Sequence, residues 1–449
     1  MNESPHNTNQ QSQPGSPNFV TRRNFFQSAA ALSSLAGVTT SAVAADDTGK
    51  EKSRKAVSGH EPTLGEYTTI CDHYAEFPPK DNQFIKSDAP SLVKTSDGAL
   101  LCAVPMHFRG APRKEIRNLQ FYRSEDGGES WKKLQGGSYF CAGMLVRQGK
   151  VLYFMGTGPG ENPENCEGFR IIRSEDEGQN WSDPVDLFKG SQPYQPAGSY
   201  VVRNGQLYWC FVRAWNIPGM TATTYVIAGD LSRDLCDPDA WRISNGVLNP
   251  GVPSHMTVGE GKGNWLEGNV VEVNGKLRVC WRYHIDGYST CGIGAICNVE
   301  DDGVNLAYKF EQFHPLPGAQ NHFHIVYDAI SKLYWMTATL PTHSQDRELD
   351  AKLKQQPGFS RWGTSGNERR ILSLYFSFDA LNWLPATYVI VWPLMRQASN
   401  YCGLLIDGED LLVAARTSRN GRDQHDNDLT TFHRVKNFRS LASPLMPQK

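Results

Sequence analysis

The sequence predicts an all-β protein, a six-bladed β-propeller whose blades are four-stranded antiparallel sheets. Three observations predict it. The stretch Ser124-Glu125-Asp126-Gly127-Gly128-Glu129-Ser130-Trp131 returns as Ser174-Glu175-Asp176-Glu177-Gly178-Gln179-Asn180-Trp181, fifty residues on, and a period near fifty marks an array of supersecondary units. Six hairpin-type turns, each flanked by apolar runs, are strung along the chain at Asp97-Gly98, Gln148-Gly149, Asn204-Gly205, Asn274-Gly275, Ser331-Lys332 and Asp407-Gly408. Gly and Pro are frequent and aromatics make up 11 % of residues, while long amphipathic helical patterns are nearly absent, as suits short strands joined by many turns.

From the N-terminus, residues 1–20 are Asn-, Gln-, Ser- and Pro-rich and carry too few large apolar residues for a core. Arg22-Arg23 then precede a weakly apolar stretch from Ala29 to Val43 that ends in Ala42-Val43-Ala44-Ala45. That order reads as a twin-arginine export signal over residues 1–45. The stretch is shorter than the roughly 20 apolar residues of a spanning helix. The expectation is a periplasmic or extracellular protein that begins near Ala45 or Asp46 and is not inserted in a membrane once the signal is removed. A charged linker fills residues 46–65, and the propeller takes 66–449.

Each blade opens with two strands joined by one of the six turns. The Asp turn then joins the third strand to the fourth. In that turn Ser and Asp side chains accept backbone N–H bonds, Gly supplies a left-handed residue and Trp folds back as an apolar plug. Weaker copies stand at Val299–Leu306 and Ser377–Trp383, an irregular one at Ser232–Trp241, and blade six has its late strands over Leu429–Phe438 with no Asp turn. A strand near Thr68–Cys71 closes the ring. Cys102, Cys210 and Cys280 sit mid-strand at equivalent places in different blades and read as small core residues. No C-x-x-C occurs, so no structural zinc site is expected, and Cys291 with Cys297 is an open disulfide pairing. The formal net charge is −2, so no global charge points to nucleic acid or to a membrane surface.

S-x-D-x-G-x-x-W turns on six four-stranded blades resemble the Asp-box (BNR) repeats of the sialidase/neuraminidase superfamily, over roughly residues 80–440. These turns mark a fold and leave function undecided. The strand order puts blade-to-blade and second-to-third-strand connections on one face, opposite the Asp turns. That face carries the long polar loops: 107–118, 158–167, 214–222, 283–289, 341–370 and 417–428. Function concentrates where loops are long. Within 341–370, Arg347 to Lys354 has a short helical pattern that suits a lid.

Aligning the blades by their turns brings two sets of residues to this face. The first strands begin with Asp88, Gln195, Glu267, His322 with His324, and Tyr401. The second strands end with Met106 and His107, Arg213, Arg282, Leu340 and Arg416. Three arginines at nearly one position in a near-neutral chain point to an anionic ligand, because guanidinium forks bind carboxylate or sulfate bidentately. The alternative is that each pairs with a neighbouring carboxylate such as Glu267 or Asp88. Glu267 and Arg282 resemble the superfamily's Glu and its central-blade arginine, and Tyr401 resembles its nucleophilic Tyr. This implies a glycosidase with a Tyr nucleophile and a carboxylate base.

The departures are equally specific. The superfamily opens blade one with an Arg, the first of three that clamp the sugar carboxylate, whereas Asp88 stands at that place here. Loop 107–118 offers His107 and Glu115 for the family's acidic Asp. His322 and His324 have no counterpart in the family, and as alternate strand residues they point to opposite sides, which argues against a metal pair. The implied activity is an exported, sialidase-like exo-glycosidase acting on a terminal acidic sugar of a glycan, with Glu267, Tyr401 and Asp88 catalytic, Arg213, Arg282, Arg416, His107, His322 and His324 binding substrate, and neither metal nor cofactor. A lyase acting on uronic-acid glycans and a non-catalytic glycan-binding propeller remain open beside it.

Overall fold

The computed structural model describes residues 65–445, apart from 79–83, 110–116, 138–139, 160–165, 197, 214–221, 257–262, 286–291, 319, 344–345 and 357–362. The expected export signal, most of the linker, Glu115 and Cys291 lie outside these residues. The chain divides into Met1–Gly59 and His60–Lys449, and the second unit carries the propeller.

Six antiparallel blades follow in order. Blade one has its first strand in two pieces, Phe84–Ser87 and Ser91–Lys94, both paired to Leu100–Arg109, then Arg117–Ser124 and Lys132–Lys133. Blade two is Ala142–Gln148, Val151–Pro159, Cys166–Ser174 and Val185–Pro196. Blade three is Val201–Arg203, Gln206–Arg213 and Thr223–Asp230, with Trp241–Ile243 and Val247–Leu248 outside. The end of Val185–Pro196 also pairs with Gln206–Arg213 and fuses blades two and three into one sheet. Blade four is Asn264–Val273, Lys276–His284, Ile293–Asp301 and Leu306–Pro315, and blade five is His324–Asp328, Leu333–Thr339, Ile371–Ser377 and Trp383–Val391. Blade six is Ala398–Asp407, Asp410–Ser418 and Leu429–Val435, and Thr68–Asp72 supplies its outer strand. All six expected hairpin turns and the closing strand are present.

The core lies in the seams between blades. Blades three and four share a cluster around Trp265, Trp281 and Tyr283, and blades five and six one around Trp335 and Phe438. The cluster between blades one and six includes Ile70 of the closing strand. Cys102, Cys210 and Cys280 are buried in these seams as expected.

The Asp turns belong to the same packing. Ser124 Oγ donates to Asp126 (2.8 Å) and accepts from Gly128 N (2.7 Å), while Asp126 accepts from Ser130 N (2.9 Å). The copy at Ser174 repeats this pattern. Trp181 stacks on Phe121 of the preceding blade at 4.4 Å, and Trp131 meets Phe432 across the closing seam at 5.4 Å. Gly128 has φ 101°, and a Cβ there would lie 2.2 Å from the Phe432 ring, so only Gly fits both the turn and the seam.

Candidate functional site

The site is built on the start of the first strands and the end of the second, the face opposite the Asp turns. Two of its side chains sit on β-bulges. In blade four the register passes from Trp265 opposite Tyr283 to Gly268 opposite Trp281, so Leu266 and Glu267 together face Arg282. In blade six it passes from Asn400 opposite Arg416 to Gly403 opposite Ala414, so Tyr401 and Cys402 share one partner position. A bulge re-aims a side chain that a regular strand would send to one side of the sheet. Tyr401 takes φ 50°, an outlier for a bulky residue that neighbouring contacts must hold in place. Gly403 does part of this, since a Cβ there would stand 2.5 Å from the carbonyl of Pro90.

Tyr401 is the centre of the cluster. Arg282 Nη1 donates to its hydroxyl (3.0 Å) and to Glu267 Oε2 (2.9 Å), and its Nε donates to the Gln320 carbonyl (2.9 Å). The guanidinium carbons of Arg416, Arg369 and Arg282 lie 4.8, 5.4 and 5.9 Å from the Tyr401 ring centre. His322 stacks on the ring at 4.6 Å, and His425 meets it edge-on at 6.4 Å. Asp88 occupies the break in the first strand of blade one, where Pro90 cannot donate to the ladder, and its Oδ1 is 3.6 Å from Arg416 Nη1.

Three guanidiniums therefore converge, with two carboxylates set against two of them. Arg369 Nη1 donates to Asn400 Oδ1 (3.3 Å) and its Nη2 to Asn367 Oδ1 (2.8 Å), neutral partners both. Burial pushes its guanidinium down to about 10, and Arg282 and Arg416 add to that against the opposing pull of Tyr401. Arg416 is 1 % exposed. Its Nη2 donates to the His425 carbonyl, whereas its Nε and Nη1 are buried without a hydrogen-bond acceptor among the described residues. Burial works against the charge on Arg282, but Glu267 and Tyr401 outweigh it and raise its pKa. His322 and His425 are held neutral, well below their ordinary value, first by burial. The charges of Arg282, Arg369 and Arg416 then act on both, with His324 adding at His322 and Lys86 at His425.

Of the residues expected from sequence, Glu267, Tyr401, Asp88, Arg282, Arg416 and His322 are brought together. His324 is not in this group: it lines the axial cavity of about 810 Å³ below the site, with Leu92, Val270 and Leu404. Arg213 keeps to its own blade, its guanidinium 5.8 Å from the Tyr225 ring. The first strand of blade three is only Val201–Arg203, so Arg213 pairs with Tyr194 of the preceding blade instead of a bulged neighbour. His107 is buried opposite Lys86, whose ammonium is 3.8 Å from Asp426 at the edge of the site. The side chain of Gln195 lies outside the described residues.

Arg369 and His425 were not anticipated. Arg369 stands just ahead of the third strand of blade five, Ile371–Ser377, a place that aligning first- and second-strand ends does not sample. The Glu368-Arg369-Arg370 run in the longest loop was the available signal. Glu368 is buried and accepts from Thr342, His343 and Arg370, which fixes the segment that presents Arg369. The expected helix is present as Arg347–Lys354, and its Asp350 accepts from Ser365 N (2.6 Å) just ahead of that segment. His425 lies in loop 417–428, whose Asp423, Gln424, Asp426 and Asn427 are all buried. Among the described residues no group of three or more His, Cys, Asp or Glu side chains is placed to hold a metal, and no helix is long and apolar enough to cross a membrane.

No family model and no curated protein matches the chain. Solved structures do match. The Trypanosoma rangeli sialidase in complex with 2,3-difluorosialic acid aligns with a TM-score of 0.53 at 12 % identity, over 80 % of this chain and 56 % of that one. A mutant of that sialidase displaying trans-sialidase activity aligns at 0.52 and 13 % identity, over 86 % and 59 %. The chain thus spans a little over half the length of these sialidase chains. The Penicillium chrysogenum alpha-L-arabinanase complexed with arabinobiose aligns at 0.50 and 14 % identity, over 84 % of this chain and 99 % of that one. At these identities the likeness establishes the architecture: the chain is a six-bladed β-propeller of the kind on which sialidases and an arabinanase are built.

Proposed function

We propose that this protein is an exported glycosidase that removes a terminal acidic sugar from glycans, with Tyr401 as nucleophile. One observation carries the reading. Three buried guanidiniums, those of Arg282, Arg369 and Arg416, converge on one phenol against two carboxylates, Glu267 and Asp88, and the buried Nε of Arg416 has no hydrogen-bond acceptor among the described residues. Buried cationic donors left unserved are costly, and a carboxylate on the ligand is the group that satisfies them. Arg416 takes the part that the superfamily gives to its blade-one arginine, whose place Asp88 occupies as counter-ion to Arg416.

The chemistry follows from the contacts. Arg282 Nη1, 3.0 Å from the Tyr401 hydroxyl, stabilises negative charge on that oxygen as it attacks the anomeric carbon. Glu267, bonded to the same nitrogen, is the base that receives the phenol proton. The Tyr401 ring, flat against His322, has its conformation fixed before substrate binds. Likeness of fold to sialidases supports this reading.

A second reading, a lyase that abstracts the proton beside a uronate carboxylate, is favoured by the neutral His322 and His425 at Tyr401. A screen for sugars released from sialylated, uronic and neutral glycans tests both, because a lyase product carries an unsaturated bond that absorbs in the ultraviolet. Glu267→Gln should retain binding and lose about 10²–10⁴-fold in turnover. Undiminished turnover in that variant would remove Glu267 from the mechanism.

A further inference from the structure

Among the described residues the two carboxylates at Tyr401 are engaged with guanidiniums, Asp88 with Arg416 and Glu267 with Arg282, which leaves the protonation of the leaving group to another side chain. We propose that His425, oriented by Asp426, is the residue that passes a proton to the departing glycosidic oxygen and later takes one from the attacking water. The inference rests on the glycosidase reading.

The geometry is that of an oriented imidazole. His425 Nδ1 is 2.8 Å from Asp426 Oδ1. Arg416 Nη2 approaches the same nitrogen at 3.2 Å, but a nitrogen facing a carboxylate must carry the proton, and the Arg416 hydrogen bond goes to the His425 carbonyl instead. Nε2 is then left with its lone pair, the tautomer that a carboxylate enforces on a catalytic His. Asp423 fixes the loop, accepting from the backbone N–H of His425 (2.7 Å) and of Asp426 (2.8 Å). Asn427 ties it to blade one, donating to Ser87 Oγ (2.9 Å). The His425 side chain is 14 % exposed against 4 % for Asp426, so the imidazole can be reached by a ligand while its partner cannot. Its edge-on contact with Tyr401, at 6.4 Å between ring centres, sets it beside the nucleophile.

The charged and titratable groups around this ring are Arg416, Lys86, Arg369 and Arg282, with Asp426, Asp423, Asp88 and Tyr401. In the empty site burial first, and then the charges of Arg416, Lys86, Arg369 and Arg282, keep His425 neutral. A carboxylate bound across the guanidiniums cancels much of the cationic part, and an acidic substrate thereby raises the proton affinity of His425. In the first step Tyr401 Oη bonds to the anomeric carbon and its proton goes to Glu267. The bond to the leaving oxygen breaks, its electron pair stays on that oxygen, and the oxygen takes the proton from His425 Nε2. In the second step water attacks the same carbon, the bond to Tyr401 breaks, and Glu267 returns its proton to the phenolate. The water proton goes to His425, which restores the acid.

The test is turnover of the full-length wild type, His425→Gln and Asp426→Asn on two acidic-sugar glycosides, one with a nitrophenol leaving group and one with an alkyl alcohol. Expected is a loss of about 10²–10⁴-fold on the alkyl substrate and a loss smaller than tenfold on the nitrophenyl one, whose departure needs no proton. Asp426→Asn should show the same pattern in weaker form, with a shifted pH profile. Equal losses on both substrates in variants that melt like wild type, or no loss on the alkyl one, would overturn the assignment of His425 alone. A wild type that releases neither leaving group would overturn the glycosidase reading and this assignment with it.

Discussion

Three arginines, two histidines and a carboxylate are arranged around the phenol of Tyr401. Shape and charge at that residue account for the site better than the residue type does. Arg416 has Asp88 as its counter-ion, but its buried Nε has no hydrogen-bond acceptor among the described residues, so Arg416→Ala should weaken binding of an acidic sugar by about 2–5 kcal/mol while binding of a neutral analogue changes little. Comparing the two affinities by calorimetry checks this, and parallel losses for both ligands would assign Arg416 to structure. The arginines also show how far residue spacing carries. Arg213, Arg282 and Arg416 stand at similar distances from their turns, but only the two whose first-strand neighbours are bulged reach Tyr401. A bulge is a property of the pairing between two strands and leaves no mark in either strand alone.

At the scale of elements, the legible parts are those set by local chemistry. Asn-Gly and Asp-Gly turns, the helix Arg347–Lys354 and the Asp turns each depend on a few neighbouring residues, and each is where the sequence implies. Arg369 was not legible because its position depends on Asn367 and Glu368 beside it and on Gln424, which arrives from the separate loop 417–428. The helix connects to it through Asp350 and Ser365. Asp350→Ala should therefore lower kcat/KM on an acidic substrate more than it lowers the melting temperature, and a fall in melting temperature with kcat/KM intact would confine the helix to a structural role. Asp176→Ala should do the converse. Its turn serves the seam on the opposite face, so the melting temperature should fall and turnover should not.

The propeller is a ring, and a ring is as stable as its closure. Thr68–Asp72 completes blade six from the other end of the chain and places Ile70, 3 % exposed, in the seam with blade one. Ile70→Ala should cost about 2–5 kcal/mol in denaturant unfolding and leave substrate affinity unchanged. Several histidines are locked neutral in the closed ring, among them His324 and His433, each pushed down to about 4 by burial. The unfolded chain binds those protons below about pH 6.5 and the folded one does not. Their contribution is thus complete above that pH and is lost as the pH falls towards 4. Thermal midpoints measured from pH 8 to pH 4.5 should be level at first and then decline, and a midpoint that holds constant to pH 4.5 would contradict the buried neutral state.

The central claim is that the arginine cluster around Tyr401 selects a carboxylate for glycosidic cleavage. The most direct test is release of a terminal acidic sugar from its glycoside by the wild-type protein, compared with release from the same glycoside as its methyl ester. Expected are saturable hydrolysis of the free acid and a loss of about 10²-fold or more in kcat/KM for the ester, the equivalent of about 3 kcal/mol. Equal rates on acid and ester, or an ultraviolet-absorbing unsaturated product in place of the released sugar, would contradict it.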